Sequence, residues 1–175
     1  TAELIDDVDH GILDFDPSGD GSFTYTPDPD YSGSDQFWYI AKDALGVSSV
    51  VGSVLIVITP INDAPIAFNE SYSTLEDDQL AVIDTLETLL GVLINDIDAD
   101  PDQILSAILI SNVSHGTLST ADLDPEQISV GTEFNGHFRY DSDENYYGTD
   151  EFIYAAFDGY AQSNLDTVTI TLHKV

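Results

Sequence analysis

Asn95-Asp-Ile-Asp-Ala-Asp-Pro-Asp102 places four aspartates two residues apart, Asp96, Asp98, Asp100 and Asp102. On an extended backbone this spacing projects all four carboxylates to one side. Four like charges that close repel strongly unless a cation sits among them. With no His or Cys nearby the donors are all oxygen, which selects a hard ion. Ca²⁺ suits such a set better than Mg²⁺ or Zn²⁺. An EF-hand loop would need Gly at its sixth position and Glu at its twelfth, where this chain has Pro101 and Ala107. The competing reading is an acidic, solvated turn between two strands.

The rest of the composition bears on that choice. The chain has 175 residues, with 33 acidic side chains against 3 basic ones and a formal charge of −30. Lys42, Arg139 and Lys174 cannot assemble a basic patch, which excludes nucleic acid as a partner. The same charge disfavours an anionic membrane surface. Self-repulsion of this size works against a compact state unless salt or bound cations offset it. Disorder is not the answer, because 42% hydrophobic and 10% aromatic residues suffice to build a core. There is no cysteine and no methionine. An extracellular domain without disulfides needs another staple, and metal is a natural one. The chain opens on Thr1 with no initiator methionine, as a fragment or processed product would. No apolar run approaches the length of a membrane span.

Short β-type runs recur between Gly, Asp, Asn and Pro: Ser22–Thr26, Gln36–Ala41, Ser53–Thr59, Ile104–Ile110, His137–Tyr140, Glu151–Ala156 and Thr167–Leu172. Thr167-Val-Thr-Ile-Thr-Leu172 alternates polar and apolar residues, as a strand with one buried face does. One helical turn is expected, at Leu86–Leu90. Many short strands at close spacing read as β-sandwich architecture.

An internal repeat sets the domain count. His10-Gly11-Ile-Leu13 matches His115-Gly116-Thr-Leu118, and Gly21-Ser-Phe-Thr-Tyr25 matches Gly136-His-Phe-Arg-Tyr140. Tyr31, Gly33, Asp35, Phe37, Tyr39, Ala41 and Asp43 match Tyr146, Gly148, Asp150, Phe152, Tyr154, Ala156 and Asp158 at an offset of 115. Val54 and Ile56 answer Val168 and Ile170. The second copy carries ten extra residues around Ala121–Val130. Pro60-Ile-Asn-Asp-Ala-Pro65 is a stiff connector between the copies. Only nine residues precede His10, so the first copy lacks the N-terminal strands and acidic loop of its twin. Such a sandwich exposes core and an unpaired edge.

Asn62-Asp-Ala-Pro65, Glu76-Asp77, Gly91-Val-Leu-Ile-Asn-Asp-Ile-Asp98, Asp20-Gly-Ser-Phe-Thr-Tyr-Thr-Pro27 and Gly148-Thr-Asp-Glu-Phe-Ile-Tyr154 together resemble the tandem cadherin-like and immunoglobulin-like repeats of large bacterial secreted and surface proteins. The resemblance implies an all-β chain of tandem Greek-key β-sandwiches, the first module incomplete at its N-terminus. Residues 1–61 would be the C-terminal part of one repeat and 62–175 a complete repeat. It also implies Ca²⁺ at the junctions between repeats. By that likeness Asp28 and Asp30 are the bottom ligands of the first copy and Asn62 and Asp63 the linker ligands. Asp96, Asp98, Asp100 and Asp158 are the top ligands of the second copy. Glu76, Asp77, Asp143 and Glu144 fall at its far end. The connector departs from the eukaryotic pattern in having Pro60 where an Asp is expected.

Asp43 matches Asp158 but has no partner loop in its own copy. His10 and His115 suit a strand-entry turn before glycine better than a metal site. Tyr31 and Tyr146 stand where a tyrosine-corner hydroxyl would cap a backbone group. If Phe37, Tyr39 and Ala41 point inward, Trp38 and Ile40 point out; an outward Trp38 could stack on a sugar ring. The chain offers no nucleophile–base–orienter set and no phosphate-cradling glycine loop, so no enzyme is expected. The function expected is a calcium-binding extender or adhesion module of a secreted or cell-surface protein, the ion stiffening the junction between repeats. Its partners are neighbouring repeats of the same protein, with another copy of the chain or a surface glycan as further candidates, and without membrane insertion. Two rivals stand beside it: a carbohydrate-binding module using Trp38, Tyr25 and Tyr31, and an inert spacer within a polysaccharide-degrading enzyme.

Overall fold

The computed structural model describes residues 1–16, 20–83, 91–100, 103–121 and 126–175. The turn expected at Leu86–Leu90 lies outside the described residues, as do Asp102 and residues 122–125 of the insertion. The chain is all-β and divides into two compact units, Thr1–Ile61 and Asn62–Val175.

Unit 1 holds β1 (Ala2–Asp6), β2 (Gly11–Phe15), β3 (Phe23–Pro27), β4 (Gly33–Ala41) and β5 (Gly52–Ile58). Strands β1, β4 and β5 form one antiparallel sheet in that order, and β2 pairs with β3. Unit 2 holds β6 (Glu70–Leu75), β7 (Leu80–Val82), β8 (Ser106–Ser111), β9 (Gly116–Thr120), β10 (Glu133–Phe134), β11 (Phe138–Ser142), β12 (Gly148–Phe157) and β13 (Gln162–His173). Its larger sheet runs β10-β8-β12-β13-β6 and its smaller one β7-β11-β9. Each run read as β from sequence overlaps one of these strands, but β4 and β12 begin three residues before the runs at Gln36 and Glu151, and β13 begins five before Thr167. The sequence pattern did not reveal that β6 joins β13 in parallel, Glu70 beside Val168 through Leu75 beside His173.

The two units share one framework. Strands β1, β2, β3, β4 and β5 correspond to β8, β9, β11, β12 and β13. Among the described residues, unit 1 has no counterpart of β6, β7 or β10. In unit 2 the two sheets enclose Phe138, Phe152, Leu109, Leu118, Val168 and Ile170. Phe138 meets Phe152 edge-on at 5.2 Å between ring centres, and Tyr72 meets Phe138 at 5.5 Å. In unit 1 only Phe37 among the described apolar residues is fully buried. Phe23 and Phe15 meet it edge-on at 5.0 and 5.9 Å.

A buried carboxylate ties each sandwich together. Asp150 accepts hydrogen bonds from the backbone N–H groups of Ser114, His115 and Glu151 at 2.9, 2.8 and 2.9 Å, and from the Tyr140 hydroxyl at 3.1 Å. Asp35 repeats the arrangement with Asp9, His10 and Gln36 at 3.0, 2.9 and 2.8 Å, and Tyr25 at 2.9 Å. One side chain thus joins the central strand, the turn entering β2 or β9, and the tyrosine of the opposite sheet. The tyrosine crosses directly over the glycine that follows the histidine. A Cβ on Gly11 would lie 2.5 Å from the Thr26 carbonyl, and one on Gly116 would collide with the Asp141 carbonyl. The His-Gly pair is therefore a packing requirement, and each histidine stacks on the tyrosine-corner residue, His10 on Tyr31 and His115 on Tyr146. Those hydroxyls cap backbone carbonyls, Tyr31 that of Ser34 and Tyr146 that of Thr149.

Burial opposes ionisation of Asp35, but the three N–H groups and the Tyr25 hydroxyl outweigh it and hold the carboxyl at about 2. A depressed native pKa contributes stability that is present above the ordinary aspartate range and lost as pH falls toward 2. Unit 1, followed by the fluorescence of Trp38, should therefore weaken between about pH 4 and 2, and the Asp35→Asn variant should show a flatter response there. In unit 2, Asp150→Ala strands buried donors and should cost roughly 3 kcal/mol or more in urea unfolding.

Candidate metal centre

The connector enters unit 2 through a two-way bridge. The Ile66 N–H donates to the Ile97 carbonyl at 2.8 Å, and the Ile97 N–H donates to that of Ile66 at 3.0 Å. This bridge lays Asn62–Pro65 against the acidic loop. Asp63 N–H donates to Asp100 Oδ2 at 2.9 Å, and Asn62 Nδ2 to Asp158 Oδ2 at 3.0 Å. Gln103 Nε2 donates to Asn62 Oδ1 at 2.8 Å and to Asp100 Oδ2 at 3.4 Å. Asp158 is held from behind by the N–H groups of Tyr160 and Ala161, both at 2.6 Å. Burial opposes its charge, yet these N–H groups and the Asn62 amide keep its carboxyl below the usual aspartate value.

Five of the residues singled out from sequence therefore gather at one end of unit 2: Asn62, Asp63, Asp98, Asp100 and Asp158. Gln103 joins them and was not foreseen, since a lone glutamine after an aspartate run carries no pattern. Two buried oxygens in this group, Asp98 Oδ2 and Gln103 Oε1, have no hydrogen-bond partner among the described residues. An all-oxygen donor set with an orphaned carboxylate oxygen fits a hard cation. Among the described residues, no three or more Asp, Glu, His or Cys side chains are disposed to hold a metal ion by themselves. Amide groups of Asn62 and Gln103 stand between the carboxylates.

The acidic run does not project its carboxylates to one side. The Asp100 N–H donates to Asp98 Oδ1 at 2.9 Å, bending the backbone into a turn, and Asp96 points the other way. Asp96 accepts from the Phe68 N–H at 2.9 Å and from the Tyr154 hydroxyl at 3.1 and 3.0 Å. There it meets Glu70, whose Oε2 lies 3.2 Å from the same hydroxyl, while the Val92 carbonyl lies 2.8 Å away. One hydroxyl proton cannot serve four acceptors. Glu70 and Asp166 are both buried, and Glu70 Oε1 and Asp166 Oδ2 have no partner among the described residues. Burial, then the Asp96 carboxylate, lift Glu70 from about 4.5 to about 7. Burial likewise raises Asp96 above the usual aspartate value.

The remaining candidates lie elsewhere. Glu76 accepts from the Val175 N–H at 3.0 Å, and Asp77 from the Asn145 N–H at 2.8 Å. Asp143 donates its N–H to the His115 carbonyl at 2.9 Å, and Glu144 beside it is exposed. This group sits at the other end of the β12–β13 hairpin from Asp158, about 30 Å away along the strands. Asp28 and Asp30 belong to the β3–β4 turn of unit 1, where Asp28 N–H donates to the His10 carbonyl and Asp30 adopts φ +59°. Trp38 is half buried on β4, with Asp6 and Ser53 beside it in register. Asp43 binds the Leu45 and Val47 N–H groups, both at 2.8 Å, as a turn former.

A group whose native pKa is raised contributes stability that is complete below its unfolded pKa and lost as pH rises through the native value. Glu70 should therefore make unit 2 less stable between about pH 4.5 and 7. In metal-free buffer at pH 8, Glu70→Gln should unfold later than wild type by an order of 1–2 kcal/mol after allowing for solvent screening, with no advantage at pH 4. Thermal unfolding across that range checks it.

A bacterial cadherin-like domain profile matches residues 62–174, and a bacterial Ig domain profile matches residues 2–56. A search of curated proteins returns no match. Among solved structures, human mucin-like protocadherin EC1-2 matches 99% of this chain and 85% of its own, at 14% identity and a TM-score of 0.58. Human CDH23 EC21-23 matches 99% of this chain and 62% of its own, at 12% identity and a TM-score of 0.59. The protocadherin GammaB4 extracellular domain matches 98% of this chain and 26% of its own, at 17% identity and a TM-score of 0.57. At these identities the likeness concerns the fold. Among the described residues no helix is long and apolar enough to cross a membrane. Matched over most of its length by that profile, the chain belongs to the bacterial cadherin-like domain family.

Proposed function

We propose that this chain is a calcium-stiffened extender or adhesion module of an extracellular bacterial protein, with Asn62, Asp63, Asp98, Asp100, Gln103 and Asp158 as the ligand-bearing residues. The observation that carries the reading is the gathering of connector, acidic loop and β12–β13 turn at one end of unit 2 around an orphaned Asp98 oxygen. Bound Ca²⁺ would supply charge neutralisation and multidentate oxygen coordination, not bond chemistry. The chain's own residues then act on geometry. Asn62 and Asp63 belong to the connector, so whatever fixes them to Asp98, Asp100 and Asp158 fixes the direction in which the connector leaves unit 2. Asp158 is already ionised and oriented by two backbone N–H groups, which removes part of the ordering cost of binding. Surface ion pairs offer no substitute, being worth at most about 1 kcal/mol each.

An ion bound only by the folded state adds about RT ln(1+[L]/Kd), or roughly 2.7 kcal/mol at a hundredfold excess over Kd. Calorimetric titration and thermal unfolding of the chelated chain should show saturable Ca²⁺ binding and a higher midpoint for unit 2. Mg²⁺ should substitute poorly, since it demands stricter octahedral geometry. Asp98→Asn and Asp158→Asn should each lower the affinity at least tenfold, while Glu144→Gln should leave it unchanged. Equal midpoints in calcium and chelator at matched ionic strength would return the loop to a solvated turn.

A further inference from the structure

The donor residues at the connector end of unit 2 stand on two separate supports. Asp98, Asp100 and Gln103 lie on the acidic loop, whereas Asp158 lies in the turn of the β12–β13 hairpin. The connector reaches both, through Asp63 to Asp100 and through Asn62 to Asp158. Its descent into β6 is tied to each support in turn. Ile66 pairs with Ile97 of the loop, and the Phe68 N–H donates to Asp96 at 2.9 Å. Ala67, between them, is buried and bound to the hairpin instead. Its N–H donates to Asn164 Oδ1 at 3.0 Å, and its carbonyl accepts from Asn164 Nδ2 at 3.0 Å.

A β-bulge aims this side chain. In the β12–β13 ladder Ala155 faces Leu165 and Phe157 faces Gln162, so Ser163 and Asn164 together stand opposite Ala156. The Ser163 hydroxyl accepts from the Ala156 N–H at 2.8 Å and donates to the Asn164 carbonyl at 2.6 Å. Bulges re-aim the side chains they carry. Unit 1 repeats the frame: Tyr39 faces Gly52, Lys42 faces Ser48, and the Ser49 hydroxyl accepts from the Ala41 N–H at 3.0 Å. The asparagine is not repeated. Val50 stands in its place and is 88% exposed. The bulge therefore forms without an asparagine, and the amide serves something other than the frame. An asparagine side chain presents an acceptor and a donor side by side, as a peptide group does. Asn164 thus stands in for a strand partner at Ala67.

We propose that Asn164 is a positioning residue for the ion site. It registers the connector against the β12–β13 hairpin, so that Asn62 meets Asp158 while Asp63 meets Asp100. The register is set without an ion; that it serves one rests on the calcium reading. Without Asn164 the connector keeps its ties to the acidic loop, but its approach to Asp158 is no longer fixed.

Residue-resolved amide exchange of the intact 175-residue chain is measured first in chelator. Asn164→Ala removes two hydrogen bonds and should speed exchange at Ala67 and at Asp63 about tenfold or more, leaving Val168–Leu172 as in wild type. Calorimetric titration should then show the wild-type Ca²⁺ stoichiometry with affinity lowered about tenfold. Asn164→Asp adds a carboxylate near the site, and charge alone would tighten binding. A carboxylate cannot donate to the Ala67 carbonyl, so affinity should instead fall below wild type. Unchanged exchange at Asp63 overturns the proposal. Exchange that rises equally at Val168–Leu172 overturns it in favour of a general stabilising role. Calcium binding by Asn164→Asp as tight as that of wild type overturns it in favour of a charge effect. If the wild-type chain takes up no Ca²⁺, the calcium reading falls, and exchange in chelator still decides whether Asn164 positions the connector.

Discussion

A buried carboxylate at the start of the central strand, Asp150 in one unit and Asp35 in the other, is the constraint on which both sandwiches depend. Each receives three backbone N–H groups and a tyrosine hydroxyl from the opposite sheet. An ionised group away from water is tolerated only when its lone pairs are matched, and here the match is supplied mainly by backbone donors with fixed positions. The same contact forces glycine at positions 11 and 116, since the tyrosine ring passes over them. Strand, turn and cross-sheet tyrosine are thereby specified together, in a chain that has no disulfide to perform that task.

Acidic residues in this molecule divide into three physical classes. Some, such as Asp35, Asp43 and Asp150, are turn and strand formers whose charge is absorbed by backbone N–H groups. A second class, Glu70, Asp96 and Asp166, is crowded around Tyr154, where burial favours a proton on Glu70 and on Asp96. The third class, at the connector end of unit 2, is bridged by the amides of Asn62 and Gln103 and retains unsatisfied oxygens. Asp96 and Asp98 stand two residues apart in sequence yet fall into different classes. The bend made by the Asp98 carboxylate and the Asp100 N–H turns one toward the interior and the other toward the connector.

Unit 1, in which no counterpart of β6, β7 or β10 is found among the described residues, buries less of its interior than unit 2. It keeps the buried Asp35 with its donors, the stacked histidine and tyrosine, and the edge-on phenylalanines, yet among its described apolar residues only Phe37 reaches full burial. The second unit, with β6 and the Gly91–Leu93 turn in place, buries a continuous core. The two copies make an internal comparison in which the sandwich frame is held nearly constant and the filling of its interior is varied.

The sequence by itself determined the class of fold, the positions of most strands, the repeat and its register, and the family resemblance. Alternation, turn residues and self-similarity are local or periodic signals and survive without coordinates. It also indicated Asn62, Asp63, Asp98, Asp100 and Asp158 through a family pattern. Only the tertiary structure decided which of these carboxylates meet, because side-chain direction in a loop follows from long-range partners. The parallel docking of β6 on β13, Gln103 among the donors, and the departure of Asp96 toward Glu70 and Tyr154 all depend on contacts spanning many residues. The repeat likewise revealed that Asp35 and Asp150 correspond, but not that each is buried. Burial of a charge can be read only where its donors arrive, and in both units those donors come from the turn before β2 or β9 and from the opposite sheet.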